Sequence, residues 1–347
     1  MIFLLRWQSI FICKEDLKLP IGQFLFGGKL MKKLFTLLLS LMLILSFTGC
    51  DKKGEEKFVI GICQIEAHAA LDAATQGFKD ALIAELGEDK VVFIDGNAAG
   101  DPATCATICN GFVADGVDMI LANATPSLQA AAAATTTIPV LGTSVTEYGV
   151  ALNIENFSGL VGTNVSGTSD LAPLDEQAQM ILDILPDVET VGILYSSSEA
   201  NSIYQVKVVK DYLENKGITV IEFAFSDSND IYLVTTQAVE QSDAIYVPTD
   251  NKAASCAEII DSVCRPAGVP VFCGEENPCA VCGVATLSIN YYELGVTTGK
   301  MAAKILTGEA NIEEMPIEYF ANPVKKYNQE ICDLLGIVVP EDYIPIE

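Results

Sequence analysis

Polar side chains that could hold a small molecule follow several apolar stretches of this sequence. The candidate ligand-binding residues are hydroxyls, amides and acids, namely Gln64, Thr125, Ser144, Ser197, Asn201, Asp250, Asn251 and Glu275. Most of them come just after a run of apolar residues of strand length. Ligands of parallel α/β proteins bind at the carboxyl ends of strands, so we expect these side chains to line one cleft.

The charges of these loops limit what the cleft can bind. The loops that hold the candidate residues contain no Lys or Arg. Arg265 precedes a predicted strand, which places it at the opposite end of its sheet. A single carboxylate could still be held by backbone N–H groups at helix N-termini, and a cationic amine would meet Asp250 or Glu275. This combination predicts a zwitterionic ligand such as an amino acid, and burial of an aromatic side chain would add roughly 2 to 3 kcal/mol.

Each candidate also has a structural alternative. A hydroxyl at a helix start, such as that of Thr125 or Ser144, can cap the helix instead of contacting a ligand. Asp250 could cap the helix that follows it, although its place after a buried strand favours the cleft. His68 is the only His in the chain, so a catalytic dyad or a His-rich metal site is excluded, and we expect a structural role for it.

The elements that would position these loops alternate between strand and helix. Residues 58–63 are continuously apolar, which is typical of a strand covered on both faces, and apolar residues then recur at helical spacing up to Gly87. Further strands are predicted at 91–94, 119–122 and 139–142, and helices at 102–114 and 126–135. This alternation predicts a right-handed parallel α/β sheet.

The second half of the chain repeats this order. Three pairs of positions correspond: Gly61 with Gly192, Asp118 with Asp243, and residues 138–140 with 269–271. Three matches in the same order favour a duplicated topology over chance similarity among apolar strands. The sequence therefore predicts two similar lobes, and residues 161–173, rich in Gly, Ser and Thr, suit a segment that crosses between them.

A signal peptide is predicted at residues 31–49. A start at Met31 with two Lys precedes an apolar run at 34–47 and then Thr-Gly-Cys at 48–50, the order of a secretory signal. The apolar run is too short for a spanning helix. We interpret residues 1–30 as a mis-assigned N-terminal extension.

Cys50 resembles the lipidated cysteine of bacterial lipoproteins, although Phe47 stands where their lipobox usually has Leu. The resemblance implies that Cys50 becomes the first residue of the mature chain and carries acyl chains that anchor it to the membrane. Residues 50–57 would then form a flexible tether. The alternative is an ordinary cleaved signal followed by a free Cys.

Composition excludes one class of partner. The chain has 20 Lys and Arg against 46 Asp and Glu, a net charge of -26. Nucleic acid is excluded, because its backbone must be met by clustered cations. The acidity is typical of a solvated surface, and 347 residues with 50% hydrophobic content can bury the cores of two domains.

Eight ordered segments carry a family resemblance. They read QIEAHAALDAATQGFKDAL, GDPAT, DMILANATPSLQAAA, TSVTE, SDLAP, LYSSSEANS, AIYVPTDN and INYYELGVTTGKMAAKIL. This set resembles the ABC-transporter substrate-binding lipoproteins whose members include tryptophan- and tyrosine-binding proteins. The resemblance implies an α/β fold of two Rossmann-like lobes with parallel sheets, three hinge crossings and a ligand cleft between the lobes. The first lobe would comprise residues 58–166 and 290–315, and the second 167–289 and 316–347.

The same resemblance implies a function. The chain would be an extracytoplasmic, lipid-anchored and monomeric receptor of an ABC importer that passes its ligand to a membrane permease, without a cofactor. One alternative is a ligand-sensing lipoprotein coupled to a chemoreceptor or sensor kinase. Another is an exported enzyme on the same scaffold, but the sequence has no GxSxG, HExxH or paired His that would support catalysis.

The 11 cysteines indicate no metal site. Residues 279–282 form a CxxC that lacks a second CxxC or a His at zinc spacing. Cys105 and Cys109 are one helical turn apart, and we expect them to fill small apolar positions.

Overall fold

The computed structural model describes residues 57–320 and 323–346. The predicted extension at 1–30, the signal peptide at 31–49 and the lipidation site Cys50 lie outside these residues, as does all but the last residue of the tether at 50–57. Among the described residues, no helix is both long and apolar enough to cross a membrane.

The first lobe is built on a parallel sheet with the order β11-β5-β4-β3-β1-β2. Its strands are β1 Phe58–Gln64, β2 Val91–Asn97, β3 Met119–Asn123, β4 Val140–Val145, β5 Val165–Ser169 and β11 Glu318–Tyr319. Its helices are α1 Ala69–Leu86, α2 Pro102–Asp115, α3 Thr125–Ala134, α4 Tyr148–Leu152 and α11 Tyr291–Leu306. The predicted strand and helix alternation is confirmed here.

The second lobe has a sheet with the order β13-β12-β10-β9-β8-β6-β7. Its strands are β6 Thr190–Ser196, β7 Thr219–Phe225, β8 Ala244–Val247, β9 Val271–Cys273, β10 Ala285–Ser288, β12 Val324–Tyr327 and β13 Ile344–Pro345. Its helices are α5 Leu174–Ile184, α6 Ala200–Asn215, α7 Ile231–Gln241, α8 Asn251–Ser255, α9 Ala257–Ala267, α10 Glu276–Cys282 and α12 Gln329–Leu335. The sheet is parallel except that β12 runs antiparallel to β10. Strands β12 and β13 come from the final segment of the chain, which adds to this side of the sheet.

The two sheets repeat one topology. The order β5-β4-β3-β1-β2 in the first matches β10-β9-β8-β6-β7 in the second. Gly61 pairs with Ile120 in the first sheet, and Gly192 pairs with Ile245 in the second. The predicted duplication is therefore confirmed at the level of strand register.

One aspartate in each lobe, Asp118 or Asp243, makes the same hydrogen bond to the first strand of that lobe. Asp118 Oδ2 accepts the backbone N–H of Val59 at 2.7 Å, and Asp243 Oδ2 accepts that of Thr190 at 2.8 Å. Asp118 precedes β3 and holds β1, and Asp243 precedes β8 and holds β6. The Asp118 and Asp243 pair noticed in the sequence thus has the same role in both lobes.

Both faces of the first sheet are covered, as its continuous apolar strands predict. Ile60 and Ile62 pack with Phe78 on one face, while Cys63 packs with Cys105 and Cys109 on the other. The prediction that these helical thiols fill apolar positions is confirmed. All nine cysteines of the described residues are buried and none is in a disulfide.

Helix α11 returns to the first lobe and lies unusually close to α1. A Cβ placed on Gly295 would be 2.0 Å from the carbonyl oxygen of Ala74, and one on Gly77 would be 2.1 Å from that of Tyr292. These glycines therefore permit the two backbones to touch. The chain then continues to β11 in the first sheet and to β12 in the second.

Two predicted lobe boundaries require correction. Strand β5 stays in the first sheet to Ser169, beyond the predicted boundary at 166, and β11 stays there to Tyr319, beyond that at 315. Both strands add to the same edge region of the first sheet before the chain crosses. Local sequence could not locate these ends, because strand pairing at a sheet edge depends on residues distant in the chain.

Candidate ligand-binding site

The two lobes touch one another at the carboxyl ends of their sheets. His68, just before α1, places its Nε2 3.4 Å from Oδ1 of Asn251 at the start of α8. The Nζ of Lys252 donates to the carbonyl oxygen of Gly100, after β2, at 3.0 Å. The polar loops of the two lobes therefore face each other, and the structural role expected for His68 is a contact between lobes.

Glu199 organises the second-lobe side of this contact. Its carboxylate, 4% exposed, accepts the backbone N–H groups of Asn251 at 3.2 Å and Lys252 at 3.0 Å, and also the Asn251 side-chain amide. A carboxylate at a helix N-terminus is stabilised by the N–H groups exposed there. Glu199 was not among the predicted site residues, although it lies between two of them, Ser197 and Asn201.

Asp250 caps helix α8. Its Oδ1 accepts the N–H of Ala253 at 2.8 Å and its Oδ2 accepts that of Ser196 at 2.6 Å. Burial, with a smaller contribution from the charge of Glu199, raises the pKa of Asp250. The capping role that the sequence left as an alternative is thus the one observed, and this correction leaves Asp250 with less to offer a ligand amine.

A second acidic pair lies where the chain crosses between lobes. Asp170 follows β5, Glu275 follows β9, and the O–H of Tyr291 at the start of α11 donates to Asp170 Oδ2 at 3.0 Å. Burial raises the pKa of Asp170 to about 6. Burial, with a smaller contribution from the charge of Asp170, raises the pKa of Glu275 to about 8. Asp170 Oδ1 and Glu275 Oε2 are buried without a hydrogen-bond partner among the described residues.

Glu275 was a predicted site residue, whereas Asp170 and Tyr291 were not. The signal for both was available, since SDLAP and INYY belong to the segments that carry the family resemblance. Their pairing was not, because 121 residues separate Asp170 from Tyr291.

The first-lobe side of the site has strained backbone. Ser144 has φ +53° at an irregularity of β4, and Ala124, just before α3, has φ +82°. Non-glycine residues in such conformations cost free energy and concentrate at functional sites. The Ser144 hydroxyl is buried with no partner in the described part of the chain, and Thr125 is buried at the first position of α3.

Two buried amides complete the set. The Nδ2 of Asn201 donates to the carbonyl oxygen of Thr249 at 3.0 Å, and the Nδ2 of Asn123 donates to that of Leu71 at 2.8 Å. For each amide the Oδ1 has no partner within residues 57–320 and 323–346. Asn201 was predicted from the sequence, and Asn123 was missed although it ends β3.

Two predicted residues, Gln64 and Ser197, have no buried atom without a partner among the described residues. The Nε2 of Gln64 donates to Asp72 Oδ1 at 2.7 Å and its Oε1 accepts from Thr75 at 2.7 Å, so its amide is used inside the first lobe. Ser197 is exposed, and its hydroxyl donates to the carbonyl oxygen of Phe225 at 3.1 Å. Strand-end position alone could not distinguish them from the residues that keep an unpartnered oxygen.

Four of the unpartnered atoms, on Asn123, Asp170, Asn201 and Glu275, are carboxylate or amide oxygens. Carboxylate and amide oxygens accept hydrogen bonds, so the site favours a ligand group with several donors, and two buried acids favour a positive charge on it. The Arg265 side chain is remote from this chemistry, since it pairs with Asp261 and Glu330. Within the described ranges, no three His, Cys, Asp or Glu side chains are grouped to hold a metal ion.

Comparison with known sequences gives a family and a relative. A family model described as ABC transporter substrate binding protein matches residues 59–344. A tyrosine-binding protein of Clostridioides difficile is 33% identical in an alignment of 311 residues that covers 82% of this chain and 87% of that protein.

Comparison with solved structures gives two informative neighbours. An ABC domain from Streptococcus pneumoniae in complex with L-Trp is 35% identical with a TM-score of 0.79, covering 82% of this chain and 97% of that one. A ligand-free, open substrate-binding protein with adhesive properties from Clostridium difficile is also 35% identical, with a TM-score of 0.64, covering 84% of this chain and 99% of that one.

Proposed function

We propose a function for this chain from one premise: the chain belongs to the family of ABC transporter substrate-binding proteins. Members of this family are extracytoplasmic binding proteins and not enzymes. We infer that this member is the receptor of an ABC importer, that it captures a small zwitterionic ligand by hinge closure, and that it delivers the ligand to a membrane permease. An amino acid with an aromatic side chain is the favoured ligand.

One observation carries the ligand class. Asn123, Asp170, Asn201 and Glu275 each hold a buried oxygen without a partner among the described residues. Asn123 ends β3, Asp170 and Glu275 follow β5 and β9, and Asn201 lies in the first turn of α6. A buried polar atom left unpaired costs roughly 1 to 3 kcal/mol. A ligand with an ammonium group supplies donors for such oxygens, whereas its carboxylate can be held by N–H groups at a helix start such as that of α3.

The relatives support the aromatic preference. The tyrosine-binding protein and the tryptophan-bound neighbour are each named for an aromatic amino acid. Burial of an aromatic ring contributes roughly 2 to 3 kcal/mol. With three or four charge-assisted hydrogen bonds of roughly 1.5 to 3 kcal/mol each, the total can exceed the roughly 8 kcal/mol that micromolar affinity requires.

Hinge closure is supported by the contacts between lobes. His68 with Asn251 and Lys252 with Gly100 join loops of opposite lobes. The chain also superposes better on the tryptophan-bound neighbour than on the open, ligand-free one. Both observations favour a closed arrangement of the kind that would enclose a ligand.

Thermal shift followed by calorimetry tests the ligand class. The purified protein is screened against the amino acids, neutral sugars and polyamines. L-Trp, L-Tyr or both should raise the melting temperature, since a ligand at 100 times its Kd stabilises by about 2.7 kcal/mol. Stabilisation by sugars or polyamines alone would reject the proposed ligand class, and turnover of a bound compound would reject the binding role.

The proposed membrane anchor has its own test. If Cys50 is lipidated, Cys50→Ser should move the protein from the membrane fraction to the soluble extracytoplasmic fraction. Equal membrane association of both forms would reject the lipid anchor without touching the ligand site.

A further inference from the structure

We infer that Asp170 and Glu275, with the Tyr291 hydroxyl against them, form the subsite that receives the ligand's ammonium group, and that a ligand without a cationic amine is rejected. This inference rests on the proposed function and deepens it. The sequence offered Asp250 or Glu275 as the partner of the amine and favoured Asp250.

Burial and unused oxygens carry the inference. Asp170 is 4% exposed, Glu275 2% and Tyr291 6%. Asp170 Oδ1 and Glu275 Oε2 have no partner in the described residues, while the Tyr291 hydroxyl interacts with both carboxyls. An ammonium group carries three N–H donors, so it can satisfy both free oxygens and still make one further bond.

The electrostatic surroundings of the pair call for a positive charge. Burial, Asp170, the Tyr291 hydroxyl, Asp250 and Glu199 act on the pKa of Glu275, and none of them is a cation. On Asp170 the causes are burial and hydrogen bonds from Thr146, Tyr291 and its own backbone. Two acids buried together without a cation resist ionisation, and an ammonium between them reverses this.

Glu66 Oε2 also lacks a partner among the described residues, but the Glu66 carboxyl already has the positive charge of Lys252 beside it. The two remaining buried acids, Asp250 and Glu199, are already occupied. Both oxygens of Asp250 accept backbone N–H groups, and Glu199 accepts those at the start of α8. A ligand that displaced these bonds would leave buried N–H groups unpaired, at considerable cost. Asp170 and Glu275 can take a new donor without breaking any bond.

The position of the pair links amine binding to closure. Asp170 follows β5 at the first crossing, Tyr291 opens α11 after the second, and Glu275 belongs to the second lobe. An ammonium bound by both Asp170 and Glu275 would therefore link the crossing segments that hold Asp170 and Tyr291 to the second lobe, which holds Glu275. A ligand without an amine could not form this link.

A protein–ligand mutant cycle tests the inference. Calorimetry measures L-Trp and L-Tyr, and their deaminated analogues indole-3-propionate and 3-(4-hydroxyphenyl)propionate, on the wild type, Asp170→Asn, Glu275→Gln and the control Glu276→Gln. Glu276 neighbours Glu275 but pairs with Lys326 at 2.7 Å. We expect Asp170→Asn and Glu275→Gln to weaken amino-acid binding by about 10- to 100-fold, and the control to change it less than about 2-fold.

The cycle separates a direct contact from a structural effect. Deamination should weaken binding to the wild type by a similar factor, but should weaken binding to Glu275→Gln little further, because the lost partner is the same. Amino-acid binding to the wild type should also release protons, detected as a dependence of the heat on the buffer at pH 7. A purely structural role for Glu275 would produce neither result.

The failures are distinguishable. The subsite is overturned if amino acids bind both variants as tightly as they bind the wild type. It is also overturned if the deaminated analogues bind the wild type as tightly as the amino acids do. Either result leaves the proposed function standing. A wild type that binds no amino acid would overturn both. If a variant does not fold, the analogues on the wild type still decide the question.

Discussion

Carboxyl side chains at the facing strand ends differ in what their oxygens contact. Those of Asp250 and Glu199 accept N–H groups of helix starts. Asp170 and Glu275 each keep one buried oxygen without a partner among the described residues. Residue type is the same in both sets, so the hydrogen-bond geometry alone separates a structural acid from a candidate ligand contact.

Because both oxygens of Asp250 accept backbone N–H groups, Asp250→Ala should destabilise the protein. The change leaves the N–H groups of Ala253 and Ser196 without their acceptor, and we expect the free energy of unfolding to fall by roughly 2 to 4 kcal/mol. Urea unfolding without ligand measures it. Asp101→Ala is the control, because Asp101 caps α2 on the exposed surface and should cost only about 1 kcal/mol. Equal losses in the two variants would contradict the buried double role of Asp250.

Ser144 gives a prediction that separates strain from function. Its φ of +53° is left-handed, so Ser144→Gly should be about 1 kcal/mol more stable than Ser144→Ala. Both variants lack the buried hydroxyl, and any loss of ligand affinity should therefore be the same in both. Urea unfolding and calorimetry measure the two quantities, and an alanine variant as stable as the glycine variant would show that the backbone is not strained.

At the scale of elements, the close contact of α1 with α11 holds α11 against the first lobe. Gly295→Ala would place a Cβ 2.0 Å from the carbonyl oxygen of Ala74, and neither backbone can yield without separating the helices. We expect at least ~3 kcal/mol of destabilisation or failure to fold, measured by thermal and urea unfolding.

A matched glycine controls for helix propensity in that experiment. Gly111 lies within α2, and a Cβ there would meet nothing within 4 Å. Gly111→Ala should therefore stabilise by about 0.5 to 1 kcal/mol. The argument fails if both substitutions shift stability in the same direction.

At the scale of the whole molecule, the buried acids make stability depend on pH. The pKa values of Glu275, about 8, and Asp170, about 6, lie above those of an unfolded chain. The folded protein therefore keeps protons that the unfolded chain releases, and this stabilisation is full at low pH and is lost as pH rises through the folded pKa values. The slope reaches about 1.4 kcal/mol per pH unit for each such carboxyl.

Melting temperatures between pH 6.5 and 8.5 check this sign. We expect the ligand-free protein to become less stable over this range, and Glu275→Gln to reduce the slope. His68 acts oppositely, because burial lowers its pKa below the usual value of 6.5. Its contribution is largely complete by about pH 7.5, so the slope above that pH carries the test. A ligand-free stability that rises with pH here, or a slope unchanged in Glu275→Gln, would contradict a protonated Glu275.

The sequence by itself determined the elements and their repetition. Apolar runs of strand length, helical spacing and glycine at helix ends depend on neighbouring residues, so they predicted the alternation at β1, α1, β3 and β4 and the correspondence of Asp118 with Asp243. The same local signals correctly marked the strand ends as the place of the polar cluster.

Only the tertiary structure decided which polar residues meet there. Asp250 finds the N–H of Ser196 across 54 residues, and Asp170 finds Tyr291 across 121. Whether an acid's oxygens are occupied depends on such distant partners and on burial, neither of which leaves a local pattern. For that reason the sequence favoured Asp250 as the amine anchor, while the folded protein uses it as a cap and leaves Asp170 and Glu275 with free oxygens.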